Sequence, residues 1–281
     1  MKHFLLIDGV LRQDALDWLQ RSAAPLGIQP LYHGTRWEAL QTLGPILAQF
    51  EPDGPTMQSL KDSDVLQTQA SHIISPSPLI AVARHLRQLV CVTDTLGSTS
   101  LLRFADPLVA WHWLNSYSPT ELSQLLGPIQ EWRIALPLPA WSLPAHPQWQ
   151  SFQSTETRPC PDVELSHFSN SQVDALEKAY QWRLKDRLYQ MVAADYPNAL
   201  ALLDEQARSE WFEQRLQDAA TWGLVSERAY AIWLESCARW GDDFITRPDS
   251  PYQVWLRRNP HLQTLPAELR IHALDSADLT D

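Results

Sequence analysis

The spacing of apolar residues changes once along this chain, near Ser169. Downstream of Ser169, apolar side chains recur every three or four residues, which is the period of an amphipathic helix. Upstream of it, apolar residues occur in short continuous runs. A chain with these two patterns is expected to fold into two lobes of different kinds. The first downstream series consists of Val173, Leu176, Tyr180, Leu184, Leu188 and Met191.

The upstream pattern predicts strands that alternate with helices. Runs such as "HFLLID" (3–8) and "PILAQF" (45–50) are typical of buried strands, and amphipathic segments lie between such runs. Two further β-rich runs, 89–95 and 100–104, are joined by a short loop that contains a glycine, which predicts a hairpin. We therefore predict a mixed α/β lobe over residues 1–136, with an α+β or α/β fold.

The downstream pattern predicts a second lobe made only of helices. Residues 169–246 contain three amphipathic segments with start and stop signals. Ser169 and Gln172 have the spacing of a capping box at the start of the first segment, and Gly223 and Gly241 follow the ends of the other two. Three helices with short connections are typical of a helical bundle.

Two segments outside these lobes are rich in proline. Residues 137–168 connect the lobes and interleave prolines with Trp141 and Trp149, so they form either an ordered connection or a strip on which a partner docks. Residues 247–281 are polar and contain further prolines. We expect them to form an irregular C-terminal tail with one short helix near "VWLRR".

The stretch "LLRFADPLVAWHWL" (101–114) predicts a strand, an Asp-Pro step and a helix. Asp106 is suited to cap the helix because its carboxylate accepts hydrogen bonds from free N–H groups, and Pro107 is suited to the first helical position. Arg103 and Phe104 precede this step. Arg103 either braces the junction by pairing with a neighbouring carboxylate or faces a partner, and bracing is the favoured interpretation.

The charge of the chain argues against two classes of partner. Its 281 residues carry a formal net charge of -11, whereas nucleic acids and anionic membranes attract an excess of Lys and Arg. We therefore expect neither a nucleic-acid nor a membrane partner. Cys91, Cys160 and Cys237 are too far apart to indicate a disulfide framework or a zinc site. Because no apolar run has the length of a signal peptide core or a membrane span, we expect a cytoplasmic protein.

The sequence contains few signs of catalysis. It has no GxGxxG, Walker, GxSxG or HExxH motif. Asp8, which precedes Gly9, and Asp94 are the best candidates, because each follows an apolar strand run and two such carboxylates can act as acid and base or hold a metal. The alternative is that each carboxylate forms a turn by accepting backbone N–H groups, and we favour it. We expect no enzymatic activity, no cofactor and no metal.

Several segments, in their order along the chain, resemble a known family. They are "FLLIDGV", "PLYHGTRWEALQTLGPILAQF", "LLRFADPLVAWHWL" and "LLGPIQEW" in the first lobe, and "YPNAL" with "WGLVSERAYAIWLESCARWGDDF" in the second. From about residue 3 to residue 245, the chain is similar to the effector chaperones, or adaptor proteins, of bacterial type VI secretion systems (the Tap/Tec group). These proteins were first catalogued as a domain of unknown function. Where the family often reads Arg-Phe-Tyr-Asp-Pro, this chain has Ala105 in place of the tyrosine.

The resemblance implies a cytoplasmic protein that binds one cognate secreted effector and helps to load it onto the spike protein VgrG. It implies no catalytic residues. Two other hypotheses stay open. One is a hydrolase or phosphotransfer enzyme of the α/β type that uses strand-end carboxylates, and the other is an acidic immunity-type protein that neutralises a basic toxin.

One group of residues has the composition of a binding hot spot. Trp182 lies two positions after Tyr180, so we expect its side chain to point away from the core face of the helix. Arg183 and Arg187 are four positions apart and share a side of that helix. An exposed tryptophan beside two arginines is typical of a protein interface, and a contact with the α/β lobe explains this composition equally well. The predicted partner-binding residues are therefore Trp182, Arg183, Arg187, Trp141 and Trp149.

Overall fold

The computed structural model describes residues 1–21, 24–135, 138–141, 149–154 and 167–277. It has an α+β fold, as predicted, with a sheet in the N-terminal part and helices in the C-terminal part. Much of the predicted connection, together with Cys160, lies outside the described residues. Within the described ranges, no helix is both long and apolar enough to cross a membrane.

The chain divides into two compact units, and the division does not follow the predicted boundaries. The N-terminal unit comprises residues 1–137 and 145–180, and the helical unit comprises residues 138–144 and 181–281. One boundary thus falls inside the first long helix, between Tyr180 and Gln181. The segment predicted as a connection is shared between both units.

The strands and helices alternate over the first half of the chain, after which helices predominate. The strands are β1 (Lys2–Asp8), β2 (Gly27–Pro30), β3 (Pro45–Phe50), β4 (Ala70–Ser75), β5 (Cys91–Thr93), β6 (Thr99–Leu101), β7 (Glu131–Ala135) and β8 (Trp149–Gln153). The helices of the N-terminal unit are α1 (Ala15–Arg21), α2 (Pro55–Asp62), α3 (Asp64–Gln69), α4 (Leu79–Gln88), α5 (Pro107–Leu114) and α6 (Pro119–Leu126). The remaining helices are α7 (Asn170–Asp195), α8 (Pro197–Ala201), α9 (Glu205–Trp222), α10 (Glu227–Trp240), α11 (Pro251–Arg258) and α12 (Ala267–Asp275).

Six strands form one antiparallel sheet in the order β2-β3-β1-β4-β7-β8. The alternation of strands and helices predicted a mixed α/β lobe, which is confirmed, but it did not predict that the six strands pair antiparallel. Strand pairing depends on contacts between distant parts of the chain, so local patterns do not settle it. The predicted hairpin of β5 and β6 is confirmed and forms a separate two-stranded sheet.

The central strand β1 is buried on both faces, which explains its continuous apolar run. Phe4 and Leu6 pack into one core with residues of α4, α5, α6 and β7. Leu5 and Ile7 point to the other face and pack against α1, α2 and α3. Residues 51–64 have the composition of a loop, but α2 and the start of α3 lie there. These helices form because their apolar residues cover this second face of the sheet.

The C-terminal residues form helices rather than the irregular tail that we expected. Ser250 caps α11 by accepting a hydrogen bond from the backbone N–H of Gln253, and Pro251 occupies its first position. Tyr252 of α11 and Ile271 of α12 are buried in a core with α10. The short helix that we predicted near "VWLRR" is confirmed as α11, and its Ser-Pro start signal is the same as that of α6 at Ser118.

The long helix α7 buries a different stripe in each of its halves. Gln172, Ala175 and Ala179 are buried in the first half, and the second half buries Leu184, Leu188 and Val192. The five-residue step from Ala179 to Leu184 breaks the helical repeat of three and four. Tyr180, which we placed on the buried stripe, is therefore 51% exposed.

The last strand of the sheet is held by a carboxylate of β7. Glu131 accepts hydrogen bonds from both Nε and Nη2 of Arg133, each at 2.8 Å, and from Ser151 and Gln153 of β8 at 2.7 and 3.3 Å. These hydrogen bonds, those from Arg133 above all, lower the pKa of Glu131 from 4.5 to about 2. The anionic form of Glu131 is thus the one that stabilises the folded state.

We expect Glu131→Gln to lower the free energy of unfolding by about 2 kcal/mol at pH 7, because the variant loses charge-assisted hydrogen bonds. A lowered pKa in the folded state means that this contribution is complete above pH 4.5 and is lost as the pH falls towards 2. Urea unfolding of both proteins at pH 7 and pH 3 measures the difference. The exposed Glu51→Gln is the matched control, and a cost for Glu131→Gln that does not shrink at pH 3 would contradict this account.

Candidate partner-binding surface

The predicted junction at Arg103 is a three-residue ionic cluster in the N-terminal unit. The Arg103 guanidinium donates to both oxygens of Asp8, from Nη2 at 3.0 Å and from Nε at 3.3 Å. Nη2 also lies 3.4 Å from Oδ2 of Asp106. Both carboxylates are almost completely buried, and burial of a charge is costly unless it is paired. Arg103 therefore braces the junction, which is the interpretation that the sequence favoured.

The neighbours of this cluster have structural roles. Asp106 caps α5 by accepting from the N–H of Leu108, and Pro107 occupies the first helical position. Phe104 is buried edge-on against the ring of Trp132, with centroids 6.3 Å apart. A Cβ atom on Gly9 would lie 2.3 Å from the carbonyl oxygen of Thr42, so only glycine fits this turn.

The two carboxylates that suggested an enzyme both form turns. Asp8 accepts from the backbone N–H groups of Val10 and Leu11 at 2.8 and 3.0 Å. Asp94 accepts from the N–H groups of Leu96 and Ser98, both at 2.9 Å, at the tip of the β5–β6 hairpin. Among the residues that the structure describes, no group of three or more His, Cys, Asp or Glu side chains could hold a metal ion.

Trp141, which belongs to the helical unit, packs in a specific site on the helices of that unit. Its indole is only 7% exposed and packs between the rings of Trp182 on α7 and Phe212 on α9, with centroid distances of 5.6 and 5.8 Å. The indole N–H donates to Oε1 of Glu213 at 3.0 Å. Nearby, the backbone N–H of Ala140 donates to Oδ1 of Asp186 at 3.3 Å. We call the indole-binding residues Trp182, Phe212 and Glu213 the Trp141 site.

Trp182 is half-buried rather than exposed, because its ring packs against Trp141. The expectation that it projects into solvent is therefore wrong. Arg187, which we predicted to bind a partner together with Trp182, makes a bidentate ion pair with Glu227 of α10. Its Nε and Nη2 atoms donate to the two carboxylate oxygens at 2.8 and 2.9 Å. Arg183 is also half-buried, and its charge acts on Asp186. The structure thus gives each of these residues an intramolecular contact, and a partner-binding role for them stays a prediction.

The five predicted residues do not belong to one unit. Trp141, Trp182, Arg183 and Arg187 lie in the helical unit, whereas Trp149 lies on β8 in the N-terminal unit. Trp149 is 37% exposed and starts the last strand of the sheet.

Sequence reasoning missed the polar residues around the Trp141 site. Glu213 receives Nζ of Lys185 at 3.0 Å on Oε1 and at 2.7 Å on Oε2, in addition to the Trp141 indole. Burial raises the pKa of Asp186, and the Ala140 N–H and the two neighbouring arginines oppose that shift. Glu213 and Lys185 are 28 positions apart, so no local pattern connects them.

The comparison with known families bears on the N-terminal unit. Residues 3–124 match the family model described as Domain of unknown function (DUF4123). The match begins in β1 and ends in α6, and it includes the whole Asp8–Arg103–Asp106 cluster. No curated protein and no solved structure matches the chain.

We expect Asp106→Ala to cost about 2 kcal/mol of folding stability, the upper end for a helix cap, because it removes both the cap and a carboxylate paired with Arg103. Asp204→Ala is the matched control. Asp204 caps α9 by accepting from the N–H of Ala207, and it is exposed, so its loss should cost about 1 kcal/mol. Urea denaturation measures both values, and equal costs would show that the contact with Arg103 adds nothing.

We expect Trp141→Phe and Glu213→Ala to be coupled by about 1 kcal/mol in a double-mutant cycle, since phenylalanine keeps the ring but cannot donate to Glu213. Chemical denaturation of the two single variants and the double variant gives the coupling energy. Trp141→Phe combined with Glu210→Ala, an exposed residue one turn away on α9, should be additive. A coupling of zero with Glu213→Ala would show that the hydrogen bond does not hold the indole.

Proposed function

We propose that this protein is a cytoplasmic adaptor that binds one cognate type VI secretion effector and assists its loading onto the VgrG spike. The observation that carries the proposal is the match of residues 3–124 to the DUF4123 model, because this domain is known generally as an adaptor of type VI effectors. The similarity of further segments in the helical unit to the same family supports it.

We also propose that the protein acts by binding and not by catalysis. The sequence offers Asp8 and Asp94 as an acid and a base, but both carboxylates accept backbone N–H groups in turns. Asp8 is in addition paired with Arg103. A catalytic carboxylate must exchange a proton with its substrate, and these contacts commit both groups to holding the fold.

The helical unit supports a role in gripping an extended segment of another protein. Its helices α7 and α9 already bind a short segment of this chain, residues 138–141, through one buried indole and two hydrogen bonds. A buried aromatic anchor with a few polar contacts is the usual composition of a binding hot spot. The formal net charge of -11 agrees with a protein partner in preference to a nucleic acid or an anionic membrane.

Deletion of the gene for this protein should abolish secretion of one effector while the secretion of other effectors continues, because an adaptor serves its cognate cargo only. We expect the gene of the cognate effector to lie beside the adaptor gene, next to a gene for the spike protein, and this effector is the one to follow. Immunoblots of culture supernatants measure secretion. Purification of the tagged protein with the co-expressed effector should give a stable complex.

A control strain deleted for the spike gene should lose the same effector from the supernatant. Loss in both strains would indicate that this effector is secreted through loading onto the spike. Unchanged secretion in the adaptor deletion would overturn the proposal. Sensitivity of the deletion strain to its own effector, with secretion intact, would instead indicate an immunity protein. An activity lost in Asp8→Asn or Asp94→Asn would indicate the enzyme.

A further inference from the structure

A second pocket lies beside the Trp141 site on the same two helices. Its apolar lining is Leu184 and Leu188 of α7, Leu216 of α9 and Tyr230 of α10, and its polar lining includes Gln181 and Gln217. The ion pair of Lys185 and Glu213 forms part of its rim. Its cavity volume is about 170 Å³, which is comparable to the roughly 150 Å³ of an apolar cavity that binds benzene. We call it the α7–α9 pocket.

The α7–α9 pocket and the Trp141 site share Glu213. One oxygen of this carboxylate, Oε1, accepts from the Trp141 indole and from Lys185, whereas Oε2 accepts from Lys185 alone. A carboxylate offers about four acceptor positions, so Oε2 has capacity for a further donor. Glu213 lines the pocket, and its side chain is 45% exposed. The pocket lining therefore combines leucine side chains with an anionic acceptor.

This combination of surfaces is the one that binds Trp141. In that site an indole packs against apolar side chains of α7 and α9 and donates its N–H to the same carboxylate. Glu213 therefore already accepts an indole N–H in a site where the ring packs on apolar side chains. The α7–α9 pocket shares Glu213 with that site and places leucine side chains near the same carboxylate.

We propose that the α7–α9 pocket binds a tryptophan side chain of the partner protein, with the indole on the three leucines and its N–H donating to Glu213. That the partner is the secreted effector rests on the proposed function. The site deepens that function because it assigns the grip to the helical unit and gives the chemistry of the anchor.

The first test uses N-acetyl-L-tryptophanamide as the probe and the full-length protein labelled with ¹³C in its leucine methyl groups. Titration should produce saturable chemical-shift changes at Leu184, Leu188 and Leu216. N-acetyl-L-phenylalaninamide, which has the ring but no ring N–H, should bind at least threefold more weakly. No saturable change at these methyl groups, or equal affinity for the two probes, would overturn the proposal.

A pair of variants on α7 provides the matched control. Gln181 lines the pocket, and Gln190 is nine residues further along, so the two side chains lie on opposite sides of the helix. Gln181→Trp should fill the pocket and abolish the methyl shifts caused by the probe, whereas Gln190→Trp should leave them unchanged. Circular dichroism and thermal melting of both variants establish that the fold is retained.

The second test measures the affinity of the same proteins for the co-purified effector. Gln181→Trp should weaken effector binding at least tenfold and Gln190→Trp less than twofold. If both variants bind the effector as the wild type does, the pocket proposal fails and the adaptor function stands. If the wild type binds the probe but no effector, the adaptor function fails and so does the assignment of the pocket to an effector. Sedimentation of the protein alone tests a second copy as occupant, and a dimer lost in Gln181→Trp would overturn the proposal.

Discussion

The ion pair between Asp8 and Arg103 is the interaction on which the N-terminal unit depends. Asp8 ends β1, the strand that lies between β3 and β4 in the middle of the sheet. Its carboxylate turns the chain through two backbone N–H groups and binds a guanidinium 95 positions away. The same guanidinium contacts Asp106, which starts α5. One arginine thereby fixes the end of the central strand relative to the start of a helix whose residues fill the core, and the family match spans both partners.

Features that depend on a few adjacent residues could be predicted from the sequence. The cap at Asp106 and the β5–β6 hairpin follow from residues that are close together in the sequence, and the structure confirms them. The antiparallel order of the sheet could not be predicted, because it depends on which distant strands meet. The buried face of α7 was predicted wrongly, because a single helical period assumes one buried face along the whole helix. This helix buries a different face in each half.

The candidate site was predicted in part. Composition identified the tryptophans, and Trp141 and Trp182 do come together, but as partners of each other and not as an exposed pair. Helical geometry alone cannot anticipate that a segment some 40 residues earlier will cover Trp182. Glu213, which holds the indole and lines the α7–α9 pocket, carries no sequence signal, because an acidic residue on an exposed helix face is ordinary. Its importance is visible only in the structure, where the Trp141 indole and Lys185 both donate to it.

The division of the chain has a consequence for how the protein can be dissected. The backbone passes between the two units three times, after residues 137, 144 and 180, and the last passage lies inside α7. Neither unit is a single continuous stretch of polypeptide. A cut between residues 141 and 149 would separate β8 and the first half of α7 from the rest of the N-terminal unit. The same cut would separate Trp141 from the rest of the helical unit. Neither unit can therefore be produced as one uninterrupted segment of the chain.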